Sequence, residues 1–101
     1  MNIQKMMKDM QKMQNQLMRA QSDLRNREFE AEAGGGMVRL ALDGDGKLKA
    51  LKIDPKAVDP EDVEALEDLV IAAFQNAFAQ RESATQELMG GLAGGLKIPG
   101  L

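Results

Sequence analysis

IQKMMKDMQKMQNQLMRAQSDLRNREFEAEAGGG, residues 3–36, sets two hydrophobic periods back to back, and the change between them decides the fold. From Ile3, the apolar residues Met6, Met10, Met13, Leu17, Ala20 and Leu24 follow at alternating intervals of four and three, after a first step of three. That is the heptad spacing of a helix that packs lengthwise against another helix. Beyond Arg27 the period drops to two. Glu28, Phe29, Glu30, Ala31, Glu32 and Ala33 alternate charged and apolar side chains, as a strand with one buried face requires. A helix over about residues 2–25, roughly 35 Å long, therefore feeds directly into a strand.

The charges of this first segment are sorted by face. With Ile3 at heptad position a, Lys5, Lys12 and Arg19 share position c and Lys8 takes position f, all on the side away from the seam. Asp9 and Asp23 sit at position g, beside it. Met7 and Met18 fall off the stripe and widen it. Residues 1–27 carry six basic side chains against two acidic ones, while residues 28–101 carry seven against fourteen. The chain reads as a basic working end on an acidic body.

Past the first strand, Gly34, Gly35 and Gly36 break the chain. A phosphate-cradling loop needs a Lys-Ser/Thr pair and a following helix; a strand follows here, so the glycines read as a turn or bulge. Residues 37–42 and 48–53 are two more strand-like runs, joined by Asp43-Gly44-Asp45-Gly46, the Asp-Gly signature of a tight hairpin. That joint lacks the spacing to a bidentate Glu that a calcium loop demands. The result is a three-stranded antiparallel meander, too small to stand without a helical layer on its apolar face.

Asp59 as N-cap and Pro60 as the first helical residue are expected to open a second long helix. Glu61, Asp62 and Glu64 then favour the positive end of its dipole. Val63, Leu66, Val70, Ala73, Phe74, Ala77, Phe78, Ala84 and Leu88 mark its expected buried face, out to about residue 89. Gly90-Gly91 is expected to end it, leaving one domain over residues 1–89 and a flexible Gly-rich tail over 90–101. The fold class is α+β.

Composition narrows the function. The 101 residues include no Cys and no His, which removes disulfides, thiolate chemistry, the commonest general base and the commonest transition-metal ligand. No enzyme activity, cofactor or metal is expected. With no Trp or Tyr and three Phe, the chain has no aromatic platform for unpaired bases. No run approaches ~20 apolar residues and the start lacks a secretory pattern, so no membrane partner and a cytoplasmic location are expected.

Four stretches resemble the YbaB/EbfC family of bacterial nucleoid-associated proteins. They are MQKMQNQLMRAQSDL (residues 10–24), GGGMVRLALDGDGKLKALKIDP (34–55), LEDLVIAAFQNA (66–77) and GGLAGGLKIPGL (90–101). The resemblance implies a small homodimer whose sheets join, with helix pairs projecting as arms, that binds duplex DNA and helps organise the nucleoid. It carries no catalytic motif and supplies no contact residues. Those come from the heptad: Lys5, Lys8, Lys12 and Arg19 on the outer face, with Arg25 and Arg27 nearer the sheet. Phosphate and shape contacts are the expected basis of binding. The alternative is an adaptor for a replication or recombination factor, with no direct hold on DNA.

Overall fold

The structure, a computed structural model, describes residues 2–95, with side chains as far as Gly91. Helix α1 (Ile3–Asn26) leads into strands β1 (Glu28–Ala33), β2 (Val38–Asp43) and β3 (Leu48–Ile53). A single 3₁₀ turn at Pro55–Ala57 and helix α2 (Val63–Gly95) follow. The first helix begins where Asn2 caps it, its side-chain oxygen accepting the Lys5 N–H at 3.3 Å. It stops at Arg27, whose extended backbone starts the strand.

The strands form an antiparallel sheet in chain order, with β2 in the centre. Phe29 lies opposite Leu42, Ala31 opposite Leu40 and Ala33 opposite Val38, so the period-two pattern places these six on one face. Ala73 and Ala77 of α2 press onto that face, where Val38, Leu40 and Leu42 are buried. Small residues let the helix axis come close to the sheet. The turn from β1 to β2 runs through Gly34, Gly35 and Gly36, all left-handed at φ 65°, 66° and 92°, a conformation that side chains with a Cβ rarely adopt.

Helix α2 covers β1 and β2 but not β3. Its flank toward β1 is pinned where the Asn76 amide donates to the Glu32 carbonyl at 3.2 Å. On the uncovered side, Leu48, Leu51 and Ile53 of β3 share the inner face of the sheet and stand open to solvent. Ile71, Phe74 and Phe78 lie about a third of a turn around α2 from Ala73 and Ala77. They sit on the flank opposite Asn76, and are open as well. These six side chains, each 36–53% exposed, form an open apolar ledge on the uncovered strand and on the α2 flank turned toward it. Phe74, Phe78 and Val63 were expected on the buried face. A three-stranded sheet is too narrow to cover a helix whose apolar residues spread over two faces.

Both expected ends of α2 move. Asp59 accepts the Glu61 N–H at 2.9 Å, and its carbonyl accepts the Asp62 N–H at 3.0 Å, so Asp59-Pro60 makes a separate turn. Asp62 is the cap instead, accepting the Ala65 N–H at 3.3 Å, and the helix starts at Val63. At the other end α2 runs through Gly90 and Gly91 to Gly95. Neither glycine takes the left-handed backbone with which glycine ends a helix. The first part of the expected tail, residues 90–95, is therefore helical; residues 96–101 lie outside the described residues.

The whole measures 74 × 27 × 16 Å, with a radius of gyration of 20.3 Å. A compact chain of this length has about 13 Å. The excess comes from the two helices, which outrun the sheet.

Candidate nucleic-acid interface

Helix α1, about 36 Å long at 1.5 Å per residue, touches the body only at its root. Leu17, Ala20 and Leu24 are half-buried, while every residue from Asn2 to Gln16 is exposed. The heptad seam is present, but its outer half faces solvent.

The root is fastened to the β2–β3 hairpin. The Gly44 N–H donates to the Arg25 carbonyl at 3.2 Å, and the backbones approach so closely that a Cβ on Gly44 would overlap the Leu24 carbonyl. From the other side Arg81 of α2 donates through Nε to the Gly44 carbonyl at 2.6 Å. The Arg81 guanidinium lies 5.7 Å from the Phe78 ring centre. One glycine thus joins arm, sheet and second helix. Nothing in the sequence distinguishes it from an ordinary Asp-Gly turn residue.

Asp43 holds the hairpin in shape. One of its carboxylate oxygens accepts the N–H groups of Asp45 and Lys47, both at 2.9 Å, and Lys49 Nζ stands 3.9 Å from the other. The Lys47 N–H is the strongest influence holding this carboxyl below its ordinary value of 3.8, outweighing the desolvation that would raise it. A depressed carboxyl contributes stability above its unfolded value and loses it as pH falls through the folded one. In Asp43→Asn the part of acid unfolding that sets in below about pH 4 will be shallower than in the parent. Circular dichroism across an acid titration measures it; identical acid limbs would refute the assignment. Among the described residues no group of three carboxylates converges where a metal could bind.

The sequence-predicted cations divide into two sets. Lys5, Lys8, Lys12 and Arg19 are exposed along the outer face of α1, and none enters an ion pair among the described residues. The three at position c recur about every 10.5 Å along the axis. Arg25 and Arg27 are engaged at the root instead. Arg25 Nε stands 3.7 Å from Asp45 in an exposed pair, and the Arg27 guanidinium lies 5.1 Å over the Phe29 ring. An exposed pair of that kind holds weakly, so Arg25 keeps most of its charge available, while Arg27 is drawn onto the ring at the arm's root.

One group of acidic residues gathers at the opposite end. Leu69 of α2 packs against Gly34, which places the start of α2, with Glu61, Asp62, Glu64, Glu67 and Asp68, beside the β1–β2 turn. The arm leaves from the other end of β1, at Glu28. The far end is thus the strongly acidic one, while the arm carries six basic side chains against Asp9 and Asp23. The arrangement suits a polyanion presented to the arm. Among the described residues, no helix is long and apolar enough to cross a membrane.

A family model described as the YbaB/EbfC DNA-binding family matches residues 1–96. A nucleoid-associated protein from Pelotomaculum thermopropionicum is 45% identical over 100 residues, covering 99% of this chain and 95% of its own. One from Streptomyces avermitilis is 50% identical over 103 residues, covering 99% and 91%. Among solved structures, an uncharacterized protein from Helicobacter pylori superposes with a TM-score of 0.73 over 92% of this chain and 98% of its own. At 22% identity that likeness establishes the fold alone.

Proposed function

Since the chain belongs to the YbaB/EbfC DNA-binding family, we propose that it binds duplex DNA as a homodimer, through phosphates contacted by the outer face of α1. The observation that carries this reading is the projecting helix itself. Four cations, in no ion pair among the described residues, lie along one projecting helix, on the face turned away from its apolar seam and well away from the acidic first turns of α2. Such contacts bind any sequence and fix position on the duplex without reading bases. Shape and deformability of the duplex supply what preference there is. Family membership adds the nucleoid as the place of action, with DNA organisation and an influence on gene expression as the outcome. The family is not a known enzyme family, and the role we assign is binding alone.

The dimer rests on the apolar ledge. Leu48, Leu51, Ile53, Ile71, Phe74 and Phe78 expose on the order of 500 Å² together, the upper range of what a monomer leaves open. The free edge of β3 adds unpaired backbone groups beside it. A second copy related by a two-fold axis satisfies both, since each ledge covers the other. Light scattering at micromolar concentration will give twice the 11.0 kDa chain mass, and Phe74→Glu with Phe78→Glu will halve it. A parent protein at 11.0 kDa would remove the dimer.

The direct test of function is a gel shift with mixed-sequence duplex at low and moderate salt. Retardation that weakens steeply with salt supports the phosphate reading. No retardation at either salt would end it and leave the adaptor of a replication or recombination factor.

A further inference from the structure

The chain contains no Cys, Trp, Tyr or His, so methionine is its most readily oxidised side chain. Six of its eight methionines fall within residues 1–18. Met6, Met7, Met10, Met13 and Met18 all lie on α1 and are 46–68% exposed, whereas Met37 is half-buried at the turn into β2. The dimer ledge proposed above uses none of them. We propose that α1 is an oxidation-sensitive arm, whose thioethers are converted reversibly to sulfoxides by peroxides and whose helix loosens as they are.

The chemistry is a two-electron oxygen transfer. A lone pair of the thioether sulfur attacks one oxygen of hydrogen peroxide, an S–O bond forms and the O–O bond breaks. The second oxygen leaves as water, taking both peroxide protons. Sulfur is oxidised, peroxide is reduced, and no further reactant is needed. Access selects the sites: α1 offers five thioethers to solvent, on a helix whose outer half is exposed, and α2 offers one more, Met89, at 60% exposure.

That lack of packing makes the modification consequential. From Ile3 to Gln16 the helix is held by intrinsic propensity, and Met, Lys and Gln are good helix formers. An unsupported helix of that length is marginal. A sulfoxide oxygen close to the backbone competes for its N–H groups, as the side chains of Ser, Asn and Asp do, and so lowers propensity. It also makes the seam polar. Lys5, Lys8 and Lys12 ride on this same stretch, so loosening it scatters the cations that duplex binding uses.

The test treats the full chain with graded hydrogen peroxide and follows three quantities. Peptide mass spectrometry will show the α1 methionines gaining oxygen before Met37, and circular dichroism will show helix content falling in step. Affinity for mixed-sequence duplex will fall by about tenfold at moderate salt; this last effect rests on the DNA reading, while the first two do not. A variant carrying Met6→Leu, Met7→Leu, Met10→Leu, Met13→Leu and Met18→Leu will keep its helix content under the same treatment, although Met37 and Met89 remain oxidisable. Methionine sulfoxide reductases of both stereochemical classes will restore the oxidised parent. Oxidation of Met37 as fast as the arm, or an oxidised arm with undiminished helix content, would overturn the inference. If the untreated protein fails to bind duplex, the DNA reading falls and the helix measurement alone decides this one.

Discussion

Replacing Gly44 with alanine will unseat the arm and lower the melting temperature by roughly 15 °C, about 3 kcal/mol for a domain of this size. The added Cβ would overlap the Leu24 carbonyl and lie 2.6 Å from the Arg25 Cα, both of them backbone, so no side chain can swing aside. Two hydrogen bonds depend on the same approach, from the Gly44 N–H to Arg25 and from Arg81 to the Gly44 carbonyl. The backbone of Gly44 is not left-handed; the position needs glycine for space rather than for conformation. Gly90→Ala supplies the contrast. It lies in helical backbone with nothing within 4 Å of the added methyl group, so alanine there should stabilise by about 0.5–1 kcal/mol. Calorimetry on the two variants tests both signs, and a Gly44→Ala protein melting like the parent would refute the joint.

Substituting Gln for Lys5, Lys8 and Lys12 together should weaken duplex binding at low salt by more than about thirtyfold, and nearly equally for every sequence. If the dimer makes about six phosphate contacts in all, its log–log salt slope should be near −5, and that of the triple variant much flatter, with Arg19 left to contribute. Helix content should hardly change, since none of the three occupies the seam and Gln is a good helix former. Glu64→Gln with Glu67→Gln, at the acidic end, is the control and should leave binding intact or slightly stronger. Fluorescence anisotropy with a labelled duplex measures all of these. An unaltered affinity and slope in the triple variant would exclude the outer face of α1 as the site.

The elements with a clean period were legible from the residues alone. The heptad seam located α1, alternation located β1, and the Asp43–Gly46 turn located the hairpin. Punctuation was less reliable because one residue type serves several geometries. Asp59-Pro60 fits an N-cap as well as it fits a free turn, and Asp62, three residues on, caps the helix. Gly90-Gly91 marks a helix end only if the backbone turns left-handed, which sequence does not fix. Phe74 and Phe78 keep helical spacing with Ala73 and Ala77, yet one pair meets the sheet and the other faces outward. Periodicity registers that a face is apolar, and it is silent on whether the same chain covers it. The free cations were found by their heptad positions, whereas Gly44 and Arg81 needed three dimensions, because their partners lie 19 to 37 residues away.

The separation of charge along a 74 Å body changes what the net charge means. At physiological ionic strength the Debye length is about 8 Å, so a duplex lying against the arm is blind to carboxylates at the far end. The formal charge of −3 is then a sum over two regions that no single ligand feels at once. In dilute buffer, where the Debye length grows to about 30 Å, the acidic end comes into range and begins to repel the same duplex. An isoelectric point near 4.9 is thus no bar to holding a polyanion. What governs the encounter is the potential around Lys5, Lys8 and Lys12, in which Asp9 is the one nearby carboxylate on the arm's outer half.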